Sequence, residues 1–539
     1  FALDETRAPG FESILGATLV NEGLAVLGLD AVVAGRVQLD PFRDCLIITA
    51  PAFWDQAAEL AEWKTERGLR TVIASTDATG TTAAGIAEYI RTVYAFRRIE
   101  YVLLMGDAEH IPTVQGSTHP WNPPDGHSPY HIGTDLFYAT MDGDDDFLPD
   151  LAVGRISVNT ADEAQRIVDR IKNYEGALFM ASDFFTHPVF AAYFQDAYPK
   201  DGKTEKGYVQ TCEEIVTYLD GRGYDPTRVY TAFADVDPRW YSDETDVPDY
   251  LKRPGFAWDG TGGDVVDAID AGTFLVGHRD HGNRSGWSHP SFTSAMADGL
   301  ANGDTRLPLV FSLNCQTGWF DCETDEADYG TSSTLECFAE HLLRAPAGGA
   351  LAVITPTRNS PSRGNDQFLR GLIDCVWPTF LPDFPGWDDA EAEVLAGSRR
   401  IGHIMNYGKY YLWAHYGDED ADGVNLDDIS YARFQAELYQ CLGDPTINLK
   451  IAAIRAAAVA ASPVEALLSA YHFDLPPEFH GAVVSVLEGD DILGQAVVRD
   501  GAVDMKLRRP LLGLPGTRLN VEREGFQPVS VPLQFTTKR

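Results

Sequence analysis

Short all-apolar runs alternate with longer stretches in which apolar residues recur at three- and four-residue intervals. "CLIITA" from Cys45, "RTVIAS" and "EYVLLMGD" predict buried strands. Between them, "FWDQAAELAEWKTERG", stopped by Gly68, and "GIAEYIRTVYAFR" predict amphipathic helices. Strand alternating with helix predicts an α/β fold with a parallel sheet covered on both faces. After the acidic loop "MDGDDDFLPD" the pattern resumes with the strand "LAVGRISV" and the helix "ADEAQRIVDRIKNYE". A second α/β unit follows, with strands "PVFAAYF", "RVYTAF", "TFLVGH", "PLVFSLN" and "GALAVITP" and the helix "GYVQTCEEIVTYLDGRG". It ends near "GDPTINL" at 443–449. From about Ser462 the period shortens to the alternation of strands divided by Gly and Asp turns, which predicts a small β-sandwich. The domain reading is a lead-in over 1–44, a possible propeptide remnant, then α/β subdomains over 45–180 and 181–460. A β-sandwich over 461–539 follows.

Composition narrows the partners. The chain of 539 residues is 44% hydrophobic and 23% charged, the balance of a globular protein with a large core. Its 80 acidic against 42 basic residues give a net charge of -38, which argues against nucleic acid or an anionic membrane as the main partner. Such acidity serves solubility, divalent-cation binding, or both. No apolar stretch reaches the length of a membrane span, and "IAAIRAAAVAAS" is short and broken by Arg455. The chain opens on Phe1, as a processed chain would, and any signal peptide or propeptide would lie upstream. Seven cysteines without zinc-type spacing leave at least one thiol unpaired unless it pairs between chains.

One of those thiols stands in a telling place. Cys315 in "PLVFSLNCQTGWF" follows an apolar strand, and "GHRDHGNRSGW" ends another strand of the same unit. Two strand ends in one sheet can bring an imidazole from His278 or His281 to a thiol. A free thiol has a pKa of roughly 8.5, so a working one needs a basic or cationic neighbour. Histidine also protonates a leaving amine. Acyl transfer needs backbone N–H donors for the oxyanion, and the amides of Gly282 and Cys315 are the natural pair. The acidic segments "YVLLMGD" and "MDGDDDFLPD" meet at one sheet end if their strands are antiparallel. Hard oxygen donors without Cys or His suit Ca²⁺. A second acidic loop, "DEDADGVNLDD" at 418–428, places Asp418, Asp420 and Asp422 before Gly423 like the opening of a calcium loop, with Ile429 at position twelve.

"GHRDHGNRSGW", "PLVFSLNCQTGWF", "ECFAEHLLRA" and "GALAVITPTRN" resemble the catalytic half of the gingipain-like cysteine peptidases, peptidase family C25. The resemblance continues through "LAEWKTERGLRTVI", "YVLLMGDAEHIP", "AVGRISV" and "GDPTINL", and covers most of 45–535 in order. It implies a caspase-like fold of two α/β subdomains, an immunoglobulin-like β-sandwich behind them, and secretion to the cell surface or beyond. It also implies Cys315 as nucleophile and His281 as catalytic histidine, since His281 precedes a glycine and stands before Trp287. His278 is then structural. The family's histidine is oriented by a carboxylate at a neighbouring strand end, which nominates Asp196. Trp287 and Trp319 are expected to wall the substrate site. Best-known members cut after Arg or Lys through an acid in the loop here reading "AYPKDGKTEKGY", which lacks Asp at the matching position. Glu205 or Asp201 can substitute. The family's calcium site implies Asp107, Asp146 and Asp150 through side chains and Gly143 and Leu148 through carbonyls, in a structural role.

The expected activity is a secreted endopeptidase acting on protein or peptide substrates, held latent by a possible propeptide inhibitor. The alternatives are acyl transfer to an amine, as in gingipain-like sortases, and a non-catalytic binding protein that keeps the fold.

Overall fold

The computed structural model describes residues 44–97, 99–119, 131–143, 145–177, 183–322, 324–325, 336–386, 390–417, 429–453, 455, 458–489, 491–523 and 525–536. The lead-in before Asp44 and the acidic loop 418–428, with Asp418, Asp420 and Asp422, lie outside the described residues. The chain forms two compact units, Val102–Ala453 and a second that joins Phe1–Tyr101 to Ile454–Arg539.

In the second of these, β1 (Asp44–Thr49) pairs in parallel with β2 (Arg70–Ser75), Ile47 opposite Ile73. Helix α1 (Trp54–Glu66) makes the crossover and α2 (Ala83–Arg97) follows β2. Asp44 is buried at the start of β1, where Arg70 Nε donates to it at 2.6 Å. The C-terminal part is all β. Val483–Glu488 lies between Asp491–Val497 and Arg518–Glu522, both antiparallel to it, and Ala470–Asp474 pairs with Ala502–Lys506. Alternate residues of these strands, Tyr471, Phe473, Val484, Val486, Val503, Leu519 and Val521, share one apolar core. Gln495 Nε2 donates to the Gly68 carbonyl and Asn520 Nδ2 to that of Glu66, so this core is tied to the end of α1.

The unit Val102–Ala453 is built on a large sheet. Its strands are β3 (Tyr101–Met105), β4 (Ala152–Ile156), β5 (Val189–Tyr193), β6 (Thr227–Thr231), β7 (Leu275–Arg279), β8 (Leu309–Leu313), β9 (Ala352–Pro356) and β10 (Tyr439–Gly443). They lie in the order β3-β4-β10-β9-β8-β7-β5-β6. Strands β6, β5, β7, β8 and β9 run parallel. Strand β10 is antiparallel to β9, with Ile354 opposite Cys441, and parallel to β4. Strands β5, β7, β8 and β9 are buried along their whole length, which matches their near-continuous apolar sequences. Gly277 in β7 has a packing cause: a Cβ there would stand 2.7 Å from the ring of Phe190 on β5.

Helices cover the sheet, among them α3 (Ala161–Gly176), α4 (Tyr208–Asp220) and α5 (Ser362–Val376). In α3 the buried residues Ala164, Ile167, Val168, Ile171 and Tyr174 recur at helical spacing. Its start is a capping box: Thr160 Oγ1 accepts from Glu163 N at 3.2 Å, and Glu163 Oε2 accepts from Thr160 N at 3.1 Å. Replacing such a cap by Ala costs about 1 kcal/mol.

Candidate active site

The register between β7 and β8 builds the site. Ser312 lies opposite His278 and Leu313 opposite Arg279, the last pair of the ladder. Cys315 and His281 therefore leave the two carboxyl ends at the same level. Three contacts hold those ends together. Arg279 is fully buried and donates from Nη1 to the Leu313 carbonyl at 2.6 Å and from Nε to Asp366 Oδ1 on α5 at 3.0 Å. Gly282 lies against Asn314, where an added Cβ would come within 2.7 Å of Cγ. Asn314 Nδ2 in turn meets His278 Nδ1 at 2.8 Å. A side chain at 282 would thus push the His281 turn away from the residue preceding Cys315.

The turn after β8 sets the thiol. Gln316 has φ of +59°, the left-handed region that non-glycine residues rarely adopt, and its N–H donates to the Arg358 carbonyl at 3.1 Å. Gly318 lies so close to Thr355 that a Cβ would stand 2.3 Å from Cγ2. Cys315 Sγ accepts from the Ser360 N–H at 3.4 Å, and it is half-buried while the other six cysteines are buried. Burial pushes its pKa up, with the Ser360 contacts and the Arg279 charge acting in the opposite sense. A thiol held this way is protonated at neutral pH and needs a base.

The two histidines have different surroundings. His278 is buried, stacked on Trp287 with ring centroids 4.1 Å apart and planes within 1°. The Asn314 amide donates to its Nδ1, which leaves Nε2–H to donate to the His289 carbonyl at 3.3 Å. Burial drives its pKa well below the ordinary value, so it stays neutral. His281 is exposed on a short hairpin in which Gly282 pairs with Trp287, and its carbonyl accepts from Ser288 N at 3.0 Å. Its Nε2 meets Gln195 Oε1 at 2.8 Å, and the ring of Tyr208 stands edge-on at 5.7 Å.

That partner corrects one expectation. Gln195, rather than Asp196, reaches His281. Adjacent residues beyond a strand point to opposite sides, and Asp196 turns inward, 1% exposed, with Oδ2 accepting from Gly202 N at 2.8 Å. Two more expectations change for reasons of burial. Trp287 is 2% exposed beneath His278 with Nε1 donating to Ser312 Oγ at 2.8 Å, so it packs under the site instead of walling it. Trp319 is 4% exposed, donates to Asp325 at 2.7 Å and lies under the guanidinium of Arg358. Glu205, considered as a pocket acid, has both oxygens engaged: Oε2 by Gln195 Nε2 at 2.6 Å, and Oε1 by the amides of Ala197 and Tyr198 at 3.0 and 3.1 Å.

The acidic residues fall into two groups rather than one. Gly106 and Asp107 donate to the carbonyls of Ile156 and Val158, so β3 and β4 leave the sheet in the same direction. Asp107 therefore lies at their carboxyl end, whereas the loop 141–150 precedes β4. Asp107 groups with Glu336 and Glu340 and receives Arg344 at 2.8 Å, a cation already supplied by the chain. Asp142, Asp146 and Asp150 form the other group, with carboxylate oxygens within 4.8 Å of one another. Burial pushes the Asp150 carboxyl up, and the charges of Asp146 and Asp142 add to this. Among the described residues no cationic side chain pairs with these three clustered carboxylates, and such a set of hard oxygen donors fits a divalent ion. The Gly143 carbonyl accepts from Asp146 N at 3.3 Å, and Leu148 N donates to Asp146 Oδ1 at 3.1 Å.

Sequence reasoning missed Gln195, Arg279, Asn314 and Ser360. A signal for one existed: Arg279 directly follows the apolar run and His278 at the end of β7, and a charge there is rarely buried unless it is paired. Gln195 stood one position from the residue chosen.

Comparison with known proteins agrees with this architecture. A model of peptidase family C25 matches residues 39–450. Gingipain R2 of Porphyromonas gingivalis is 23% identical over 97% of this chain, which covers 60% of that protein's length. Lys-gingipain of the same organism is 25% identical over 69% of the chain and 20% of its own length. The chain thus spans less than two thirds of the length of these relatives. The crystal structure of the Arg-specific cysteine proteinase gingipain R superposes with a TM-score of 0.69 at 19% identity, over 93% of this chain and all of that one. The gingipain pro- and mature-domain complex gives 0.68, over 92% of this chain. The chain belongs to peptidase family C25, the cysteine peptidases of gingipain type.

Proposed function

We propose that this protein is a secreted cysteine endopeptidase in which Cys315 and His281 form the catalytic pair. The observation that carries this reading is the β7–β8 register, which brings His281 and Cys315 off adjacent strand ends at one level. His281 Nδ1, the nitrogen not engaged by Gln195, takes the Cys315 proton as sulfur attacks the scissile carbonyl carbon. The amides of Gly282 and Cys315 receive the developing oxyanion. The imidazolium returns its proton to the leaving amine, and the acyl group stays on sulfur as a thioester. Water, deprotonated by the same histidine, releases the acid.

Ca²⁺ bound by Asp142, Asp146 and Asp150 would brace the loop ahead of β4, with no part in the bond-breaking step. The C-terminal β module is immunoglobulin-like on this reading, and a propeptide covers the cleft before activation. Among the described residues no helix is long and apolar enough to cross a membrane. The test is turnover of a mixed peptide library with Ca²⁺ and reductant. Cleavage by the wild type and none by Cys315→Ala supports the reading, while equal cleavage by both overturns it.

A further inference from the structure

His281 is joined to a carboxylate through an intervening amide. Gln195 Nε2 lies 2.6 Å from Glu205 Oε2, and Gln195 Oε1 lies 2.8 Å from His281 Nε2. An ionised carboxylate only accepts hydrogen bonds, so the amide has one workable orientation, with NH₂ toward Glu205 and oxygen toward the imidazole. That oxygen carries no proton, so His281 Nε2 must be the donor and Nδ1 keeps its lone pair. The carboxylate is itself anchored, since Oε1 accepts from the amides of Ala197 and Tyr198. Although burial acts against it, those amides and Gln195 hold the Glu205 carboxyl below its ordinary range, so it is ionised at neutral pH.

We propose that Glu205 and Gln195 act as a two-member positioning relay that selects the Nε2–H tautomer of His281 and stabilises its imidazolium. The relay rests on the catalytic reading of His281 given above. Gln195 acts by direct contact, and Glu205 acts through it by orienting and polarising the amide. A neutral amide oxygen is a weaker partner for an imidazolium than a carboxylate, and the charge two bonds away offsets part of that difference.

The other charged groups around His281 do not replace this chain of bonds. Asp280 on its own strand pairs with His289 Nδ1 at 3.2 Å, and Asp196 accepts from Gly202 N. His278 is buried and neutral. Lys206 follows Glu205 and its charge favours that carboxylate, while Tyr208 at the start of α4 meets the His281 ring edge-on. Cys315 follows β8, the strand paired with β7.

Two readouts test the relay. In Cys315→Ala protein, nitrogen-15 NMR of the His281 ring reports the tautomer without any catalysis. Nε2–H is expected in that background. Adding Glu205→Gln frees the Gln195 amide to turn, and the Nδ1–H form should rise. In the active enzyme, Glu205→Gln should lower kcat roughly tenfold with little change in KM. The double exchange Gln195→Glu with Glu205→Gln preserves every bond: the new amide donates to the new carboxylate and still accepts from Ala197 and Tyr198. It should recover most of kcat and move the acid limb of the kcat/KM profile up by about one pH unit, because the negative charge now touches the imidazole. An unchanged tautomer and pH profile in Glu205→Gln would overturn the relay, as would a double exchange no better than the single one. If the wild type cleaves no peptide, the catalytic reading fails while the tautomer still decides the relay.

Discussion

Arg279 donates from Nη1 to the carbonyl of Leu313 at 2.6 Å, and so ties the strand that leads to His281 to the strand that leads to Cys315. A fully buried guanidinium is costly unless every donor is met. Here Asp366 and the carbonyls of Leu313 and Ser362 meet it. The cost of burial is offset by fixing two strand ends and the start of α5 against each other.

The thiol itself gives the most direct outcome. Cys315 alone among the cysteines is not buried, so iodoacetamide under native conditions should label one thiol per chain, located by peptide mass. With its pKa raised by burial, the rate should climb with pH, and His281→Ala should slow it roughly tenfold near neutrality. Labelling of several cysteines, or no dependence on His281, would count against the site.

Gly282→Ala tests the close approach of the two turns. Its Cβ would stand 2.7 Å from Asn314 Cγ, so the His281 turn must shift. A displacement near 1 Å is expected to lower kcat/KM roughly a hundredfold. The thermal midpoint should fall as well, since the added Cβ presses on Asn314, which is fully buried and bonded to His278 and Ser312.

Asp321 and Arg358 form a fully buried bidentate pair, with 2.7 Å for each bond. Arg358 also supplies the carbonyl that receives Gln316 N beside Cys315. Asp321→Ala leaves a buried guanidinium uncompensated and should cost about 3–5 kcal/mol in urea unfolding. Activity should fall with it, because the strained turn loses its support.

Acid should weaken the fold through histidines that are buried neutral. Burial lowers His119 to about 4, against an ordinary value of 6.5, while its Nε2 lies 2.7 Å from the Asn359 carbonyl. The unfolded chain binds a proton below pH 6.5 and the folded chain does not until about pH 4. Stability is therefore fully present above the unfolded value and is lost as pH falls through this window, by up to about 1.4 kcal/mol per pH unit for one such group. His278 adds in the same direction. His119→Gln keeps a donor for Asn359 and should flatten the fall in urea midpoint between pH 6.5 and 4.5.

Calcium should raise the thermal midpoint by a few degrees at a hundredfold excess over its Kd, equivalent to about 2.7 kcal/mol. Asp142→Asn or Asp146→Asn should remove that response. Asp107→Asn should leave it intact, because Asp107 already faces Arg344. A response lost only in Asp107→Asn would reverse the assignment.

Much of this was legible in the linear chain because it depends on neighbours in sequence. Apolar runs such as "TFLV" and "PLVFSL" are strands whatever surrounds them, and the 3.6-residue stripe of α3 with its Thr160–Glu163 cap is a local matter. The polar, glycine-containing ends after β7 and β8 marked where chemistry could sit. What the sequence left open depends on direction and register. β10 enters antiparallel to β9 although residues 357–438 separate the two in sequence, and no periodicity encodes that. The parallel course of β3 and β4 separates Asp107 from the acidic loop, although both are rich in carboxylates. The choice of Gln195 over Asp196 turns on a single step of alternation at a strand end. The sequence determined which elements form and where reactive groups could stand. Only the folded sheet decided which of them meet, because contacts between strands are set by pairing and side-chain direction across long chain separations.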